Sequence, residues 1–387
     1  MNIIEKDKQY IANTYARFPL QLVKGKGSLV YDETGKEYID LGTGIAVNTF
    51  GVSDEEWIKA VTAQLGKLQH TSNLYYSEPC ALLAEQLCQR TGMKKVFFSN
   101  SGAEANECAI KAARKHGELT KGKEYYTIVT LKNSFHGRTI TTLSATGQDV
   151  FHEHFTPMTA GFVHATANDI SDMEKLVKEH KCCGIFLELV QGEGGVMALD
   201  KDYVQAVAAL AKKENLLLMI DEVQTGNGRT GTLYAYQQFG IEPDVVTTAK
   251  GLGGGLPIGA TMLGARAETI FTPGLNGSTF GGNPVACAGA ISILKRLDET
   301  LLEEVRKKSE YIFEQLRTAK GVKSVSGLGF MIGIETEKDA SAVIAACMQR
   351  GVLVIKAKNK IRLLPALNIP WAELKKAVAI LKEEIEK

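Results

Sequence analysis

Through the middle of this chain, short runs of apolar residues alternate with amphipathic helical patterns, and the runs are apolar on both faces. Leu216-Leu217-Leu218-Met219-Ile220 is the extreme case. A strand that shows no polar alternation has no face to give to water, so it belongs in a parallel sheet covered by helices on both sides. The periodicity predicts strands at Val96–Ser99, Ile128–Leu131, Gly184–Val190, Leu216–Ile220 and Asp244–Thr248. Helices are expected from Ala103 to His116, ended by Gly117, from Ile170 to His180 and from Asp202 to Lys213. After about Gly282 the composition turns to charged helices, with strand candidates at Leu328–Ile334, Leu353–Ile355 and Ile361–Leu364. The 387 residues therefore divide into an N-terminal segment (1–50), a large α/β domain with a mostly parallel sheet (51–282) and a smaller α/β C-terminal domain (283–387).

Several function classes drop out early. Lys and Arg together number 45 against 44 Asp and Glu, a net charge of +1 with no long single-sign run, which argues against a polyanion such as nucleic acid as partner. No continuous apolar stretch approaches the ~18 residues that suggest a membrane helix. The first ten residues carry Glu5, Lys6, Asp7 and Lys8 in place of an apolar signal core, so the cytoplasm is the expected location. The seven cysteines form no C-x-x-C or zinc spacing, and reduced, mostly buried thiols are expected, with no metal.

In an open parallel sheet, ligands gather beyond the carboxyl ends of the strands. Four segments there hold chemistry: Ser101-Gly102-Ala103, Phe135-His136-Gly137-Arg138, Asp221-Glu222-Val223-Gln224 and Thr248-Ala249-Lys250-Gly251. A lone lysine is ordinarily a solvated surface charge, but Lys250 is the one charged residue between Asp244 and Arg266 and precedes a glycine-rich run. An amine so placed loses water, its pKa falls, and Schiff-base chemistry becomes accessible. Asp221 alone would read as a cap. Beside such a lysine, on a neighbouring strand, it fits the carboxylate that keeps a pyridine nitrogen protonated, which is what pyridoxal 5'-phosphate (PLP) requires of its protein. The turn at Ser101 opens a helix whose first amides suit a phosphate, and Ser101 and Glu104 have capping-box spacing. Phe135 is placed to stack on a ring, while His136 reads as an ordinary hydrogen-bonded histidine.

These segments belong to a larger set: SGAEANE at 101–107, FHGRT at 135–139, QGEGG at 191–195, DEVQTGNGRTG at 221–231, AKGLGGGLPIGA at 249–260 and STFGGNP at 278–284. In that order the chain resembles, over essentially its whole length, the class III aminotransferases of PLP fold type I, and within them the acetylornithine aminotransferases. The resemblance implies that Lys250 tethers the cofactor and shuttles protons, and that Gly102 and Ala103, beside Ser101, hold its phosphate. It implies further that Phe135 stacks, Asp221 pairs with the pyridinium, and Val223 and Gln224 touch the ring and its phenolic oxygen. Thr279 would reach the phosphate of the other subunit in a homodimer, with Ser278 beside the substrate. Arg138 would grip the carboxylate of N-acetylornithine and Arg362 the α-carboxylate of glutamate or 2-oxoglutarate, with Glu193 as the gate over Arg362. The implied reaction passes the amino group of N-acetylornithine to 2-oxoglutarate, a step of arginine biosynthesis. Gly44, where ornithine aminotransferases carry a Tyr, leaves room for an acylated amine. The chain departs from the family's pattern at Gly51-Val52-Ser53 and at Pro365-Ala366-Leu367.

Rival readings are weaker. Gly226-Asn227-Gly228-Arg229-Thr230-Gly231 matches the dinucleotide G-x-G-x-x-G, but it starts five residues beyond Asp221 and lacks the later strand-capping acid, which counts against a dehydrogenase. His152-Glu153-His154 lacks the one-turn spacing of a zinc helix and reads as a solvated loop. A binding protein on a relic scaffold would have lost the lysine or its aspartate. Within the PLP class, succinylornithine, ornithine or 4-aminobutyrate as donor, or an aminomutase, remain alternatives.

Overall fold

A computed structural model describes residues 2–387. Its centre is a seven-stranded sheet made of β1 (Lys95–Ser99), β2 (Thr127–Leu131), β3 (Phe162–Ala165), β4 (Cys182–Leu187), β5 (Leu217–Asp221), β6 (Val245–Thr248) and β7 (Gly259–Leu263). They lie in the order β1-β7-β6-β5-β4-β2-β3. All neighbours run parallel except β7, which is antiparallel to both β6 and β1. β2, β4, β5, β6 and β7 are buried at every residue, as strands covered on both faces must be.

Three boundaries differ from expectation. The helix expected to stop at Gly117 runs on from Gly102 to Thr120. Gly117 is a contact point, not a terminator: a Cβ there would lie 2.0 Å from the Tyr125 carbonyl oxygen and 2.6 Å from Cys183 Cβ. The single strand expected at Leu328–Ile334 is a hairpin of Val322–Leu328 and Met331–Thr336, turned at Gly329, whose φ of 56° favours glycine. The run Gly184–Val190 likewise breaks after Leu187, leaving Glu188 and Leu189 outside the ladder before the short strand Val190–Gln191. β3 and β7 were not expected at all, being short and interrupted by His164, Gly259 or Thr261.

The C-terminal part forms a second, four-stranded antiparallel sheet in which Lys360–Leu363 lies between Met331–Thr336 and Ile355–Ala357. A third sheet joins the two ends of the chain: Leu22–Lys26, Leu29–Asp32 and Glu37–Asp40 form a meander, and Val352–Leu353 pairs parallel to its last strand. The seven cysteines are free, five of them buried. Among the described residues no helix is long and apolar enough to cross a membrane, and no group of three or more His, Cys, Asp or Glu side chains could hold a metal ion.

Candidate active site

A cavity of about 420 Å³ opens at the carboxyl ends of the central strands, lined by Ser101, Gly102, Ala103, Phe135, Arg138, Glu193, Asp221, Val223, Gln224 and Lys250, among others. A larger one of about 810 Å³ lies at the opposite ends, against Leu218, Asp244 and Arg266, and holds none of the candidate residues.

β5 and β6 are adjacent and parallel, with Asp221 opposite Thr247, so the strand-end aspartate and the lysine just beyond Thr248 meet as expected. Asp221 is 3 % exposed, and three donors converge on it: His136 Nδ1 and Asn106 Nδ2 reach Oδ2 at 2.8 Å each, and the Val223 amide reaches Oδ1 at 3.0 Å. A carboxylate so served is held in one orientation. His136 is itself fixed by stacking on Phe186, with centroids 4.4 Å apart. The histidine read as ordinary is therefore the direct support of Asp221, and Asn106 was missed. Both come from polar residues on segments already singled out, but only the fold shows that they converge.

Lys250 sits at φ 43°, a left-handed conformation that a side chain with a Cβ disfavours. Neighbours from distant segments hold the loop there. Asn227 Nδ2 donates to Thr248 Oγ1 and to the Ala249 carbonyl, Thr49 Oγ1 to the Gly251 carbonyl at 2.7 Å, and Trp57 Nε1 to the Gly253 carbonyl at 3.0 Å. Burial holds the Lys250 amine below its ordinary value, and the Arg362 cation adds to this against the pull of Glu193, Asp221 and Glu188.

The role of the 226–231 glycines follows from the same packing. A Cβ on Gly226 would lie 2.8 Å from the Tyr234 ring, and one on Gly228 2.7 Å from Leu367. The segment is a close-packed turn, not the strand-to-helix junction a dinucleotide fold needs.

Gly102 opens the helix over which Val223 packs: a Cβ there would come 2.6 Å from Val223 Cγ1. Ser101 Oγ caps the helix through the Glu104 amide at 3.2 Å, but Glu104 reaches back to the Asn100 amide, so the reciprocal box is displaced by one residue. Gly102 and Ala103 thus line the cavity from the first turn of the helix, where unpaired backbone amides suit a phosphate dianion. A buried amine, an oriented carboxyl group and a helix N-terminus around one cavity fit PLP as a donor set.

On the other side, Arg362 lies on the buried strand Lys360–Leu363. Its Nη1 donates to Glu193 Oε1 at 2.7 Å and approaches Gln224 Oε1 at 3.4 Å, while its Nε is buried without a partner. Burial pushes the Glu193 carboxyl up, but the Arg362 charge and hydrogen bond outweigh it and leave the pKa lowered. Arg138 lines the cavity mouth. Ser278 and Thr279 lie outside the lining residues: Ser278 Oγ accepts from Asn100 Nδ2 at 3.1 Å, and Thr279 is exposed. Gly44 lies on an exposed turn at φ 63°, and a Cβ there would meet nothing closer than 3.8 Å.

Two buried acids went unread in the sequence. Glu188 follows β4 in register with Asp221, since Leu187 pairs with Ile220, and its Oε2 accepts the Phe135 amide at 2.7 Å. Burial, and next the Asp221 charge, raise its pKa well above the ordinary carboxyl range. A lone acid in an apolar strand-end run was the available signal. Glu222 is buried behind the site, where it accepts from Thr225 Oγ1 and the Tyr236 amide. Burial pushes it from 4.5 up to about 7, against the pull of those hydrogen bonds. Because the folded value lies above the unfolded one, the protonated form is favoured in the folded chain. Glu222's contribution to stability is full below about pH 4.5 and is lost as pH rises through about 7. Between pH 5 and 8 the unfolding free energy should fall by about 3 kcal/mol on its account. Urea titrations of the wild type and Glu222→Gln at both pH values check this. An undiminished slope in the variant would refute it.

Comparison with known proteins agrees with this geometry. The profile described as Aminotransferase class-III matches residues 10–385. The chain is 51% identical to the acetylornithine aminotransferase of Haemophilus ducreyi over 98% of both chains. It is 40% identical to that of Methanocaldococcus jannaschii over 99% of this chain and 97% of the relative. Among solved structures, the ornithine aminotransferase of Toxoplasma gondii superposes with a TM-score of 0.95 at 30% identity, covering 99% of this chain and 94% of that one. The N-acetylornithine aminotransferase of Stenotrophomonas maltophilia gives 0.85 at 33% identity, covering 99% and 98%.

Proposed function

The chain belongs to the class-III aminotransferases, enzymes that depend on PLP, and from that premise we propose that it transfers the amino group of N2-acetyl-L-ornithine to 2-oxoglutarate. The products are N-acetyl-L-glutamate 5-semialdehyde and L-glutamate, a cytoplasmic step of arginine biosynthesis. The observation that carries this reading is the unlike treatment of two cavity arginines: Arg362 is neutralised by Glu193, while Arg138 keeps its charge free. One subsite is thus open to a carboxylate from the start, and the other opens only when Glu193 moves. That asymmetry suits two substrates taken in turn, one with its carboxylate at Arg138 and one that also needs Arg362. The identity to acetylornithine aminotransferases over the full length names the first of them.

PLP, when bound, supplies the electron sink that weakens a C–H bond beside the reacting nitrogen. The protein does the rest. Lys250 would hold the cofactor through Nζ. Its amine, which burial keeps below its ordinary pKa, would when free be placed to move the proton of the substrate carbon that bears the nitrogen. Asp221, oriented by His136 and Asn106, would hold a proton on the pyridine nitrogen. Phe135, whose amide is tied to Glu188, offers its ring as a stacking face. Val223 and Gln224 would flank the ring, and the amides of Gly102 and Ala103, with Ser101, would take the phosphate.

We further read the enzyme as a homodimer in which Thr279 of one protomer serves the phosphate site of the other. The support is that Thr279 lies exposed and outside the lining of its own protomer's cavity, next to Phe280, which is 60 % exposed, and near Leu74, Tyr75 and Tyr76, which are 86, 72 and 105 % exposed. Apolar surface of that kind is what an isologous interface covers.

A donor screen tests the reading. With 2-oxoglutarate and PLP, N-acetylornithine should give the highest kcat/KM for glutamate formation among N-acetylornithine, N-succinylornithine, ornithine and 4-aminobutyrate. A clear lead for another amine would reassign the substrate and leave the aminotransferase intact.

A further inference from the structure

Arg138 and Arg362 are held in place by opposite means. Arg362 is buried and paired with a carboxylate. Arg138 is exposed at the cavity mouth, and among the described residues no carboxylate pairs with it. Its guanidinium lies over two aromatic rings instead: 4.1 Å from the centroid of Phe151 and 5.4 Å from that of Phe135. The two rings meet edge to face at 5.9 Å, so they form a corner into which the cation fits.

Phe151 is not among the residues lining the cavity. It ends the short 3-10 turn Asp149–Phe151, and the next residue pins that turn. His152 Nε2 lies 2.9 Å from the Leu143 carbonyl oxygen and 2.8 Å from that of Thr146, so as a donor it bridges the end of the helix Ile140–Ala145. The histidine that resembled a loose metal motif is a strut for Phe151.

We propose that Phe151 is the positioning residue of the donor carboxylate subsite, carrying the Arg138 guanidinium by its face so that the edge and the charge stay free for substrate. This rests on the reading that Arg138 binds the donor's carboxylate. The physical ground is the difference between two ways of immobilising an arginine. An ion pair fixes the side chain but consumes its charge and its in-plane donors, and substrate must displace the partner. An aromatic face attracts the cation through the ring quadrupole, leaves all the in-plane N–H groups unused, and presents them as a flat fork to a carboxylate. Without the ring, an exposed arginine would spread over many rotamers and have to be ordered at each binding event.

The consequence is specific to carboxylated donors. The donor half-reaction is followed without 2-oxoglutarate, by the absorbance of the bound cofactor, for N-acetylornithine and for N-acetylbutane-1,4-diamine, the same chain without the carboxylate. In Phe151→Leu, kcat/KM for N-acetylornithine should fall about tenfold, chiefly through KM, while the value for the carboxylate-free amine stays within about twofold. Phe151→Tyr, which keeps the ring face, should restore the ratio. In an Arg138→Leu background, Phe151→Leu should leave the ratio unchanged, since the two act as one unit. An equal fall for both donors would mean that Phe151 only supports the local fold, and an unchanged ratio that Arg138 needs no ring; either overturns the proposal. If wild-type enzyme ignores N-acetylornithine, the substrate reading fails separately. The same comparison then runs with the leading carboxylated amine and its decarboxylated counterpart, and still decides the role of Phe151.

Discussion

Lys250→Ala is expected to lower transamination by roughly 10⁴-fold or more, because one side chain is asked to be both the tether and the proton carrier. The structure also says why the fold should survive. The loop around Lys250 is held by Asn227, Thr49 and Trp57 through the carbonyls of Ala249, Gly251 and Gly253, none of which depends on the lysine side chain. Removing the side chain also removes a buried amine and relaxes no strain that alanine would not share at φ 43°. The thermal midpoint should therefore hold, while borohydride reduction followed by mass spectrometry should find PLP locked onto Lys250 in the wild type and no cofactor on the variant. Turnover within tenfold of wild type, or a cofactor adduct on another lysine, would sink the assignment.

Asp221→Ala comes next in size, with a loss of about 10³-fold expected in the donor half-reaction. It differs from the lysine change in damaging stability as well. His136 Nδ1 and Asn106 Nδ2 both donate to Asp221 Oδ2 in a buried setting, and stranding buried donors costs about 1–3 kcal/mol each. A thermal midpoint lowered along with activity is the expected pattern. Asp221→Glu tests the geometry apart from the charge: it keeps the carboxylate but pushes it a methylene further, off the two donors. Partial activity with a weakened cofactor fit would support a pyridinium partner. Full activity in Asp221→Ala, with the expected loss of stability, would leave Asp221 a purely structural acid.

Much of the site was legible because of where it lies in the chain's local pattern. Asp221 and Lys250 each close an apolar strand, and strands apolar on both faces demand a parallel sheet, whose carboxyl ends collect ligands. The capped helix at Ser101 is local chemistry, readable three residues at a time. What was not legible is long-range in origin. Glycine in a helix looks like a stop by propensity, yet Gly117 is needed because the Tyr125 backbone and Cys183 press against it. Leu328–Ile334 reads as one strand by composition, and only the left-handed Gly329 folds it into a hairpin.

The same division runs through the chemistry. The sequence by itself determined the class of fold and the family, and singled out Lys250 and Asp221 as candidates, since each is written in a contiguous stretch of residues whose hydrophobic period or motif survives without knowledge of partners. The tertiary structure alone decided which groups serve those residues: His136 and Asn106 on Asp221, Glu188 on Phe135, Glu193 on Arg362, and the Phe151 ring under Arg138. Those pairings depend on the packing of segments up to 169 residues apart. A hydrogen bond, an ion pair or a cation over a ring acts over a few ångströms of space, and distance along the chain carries no record of it until the sheet and the second lobe close around the site.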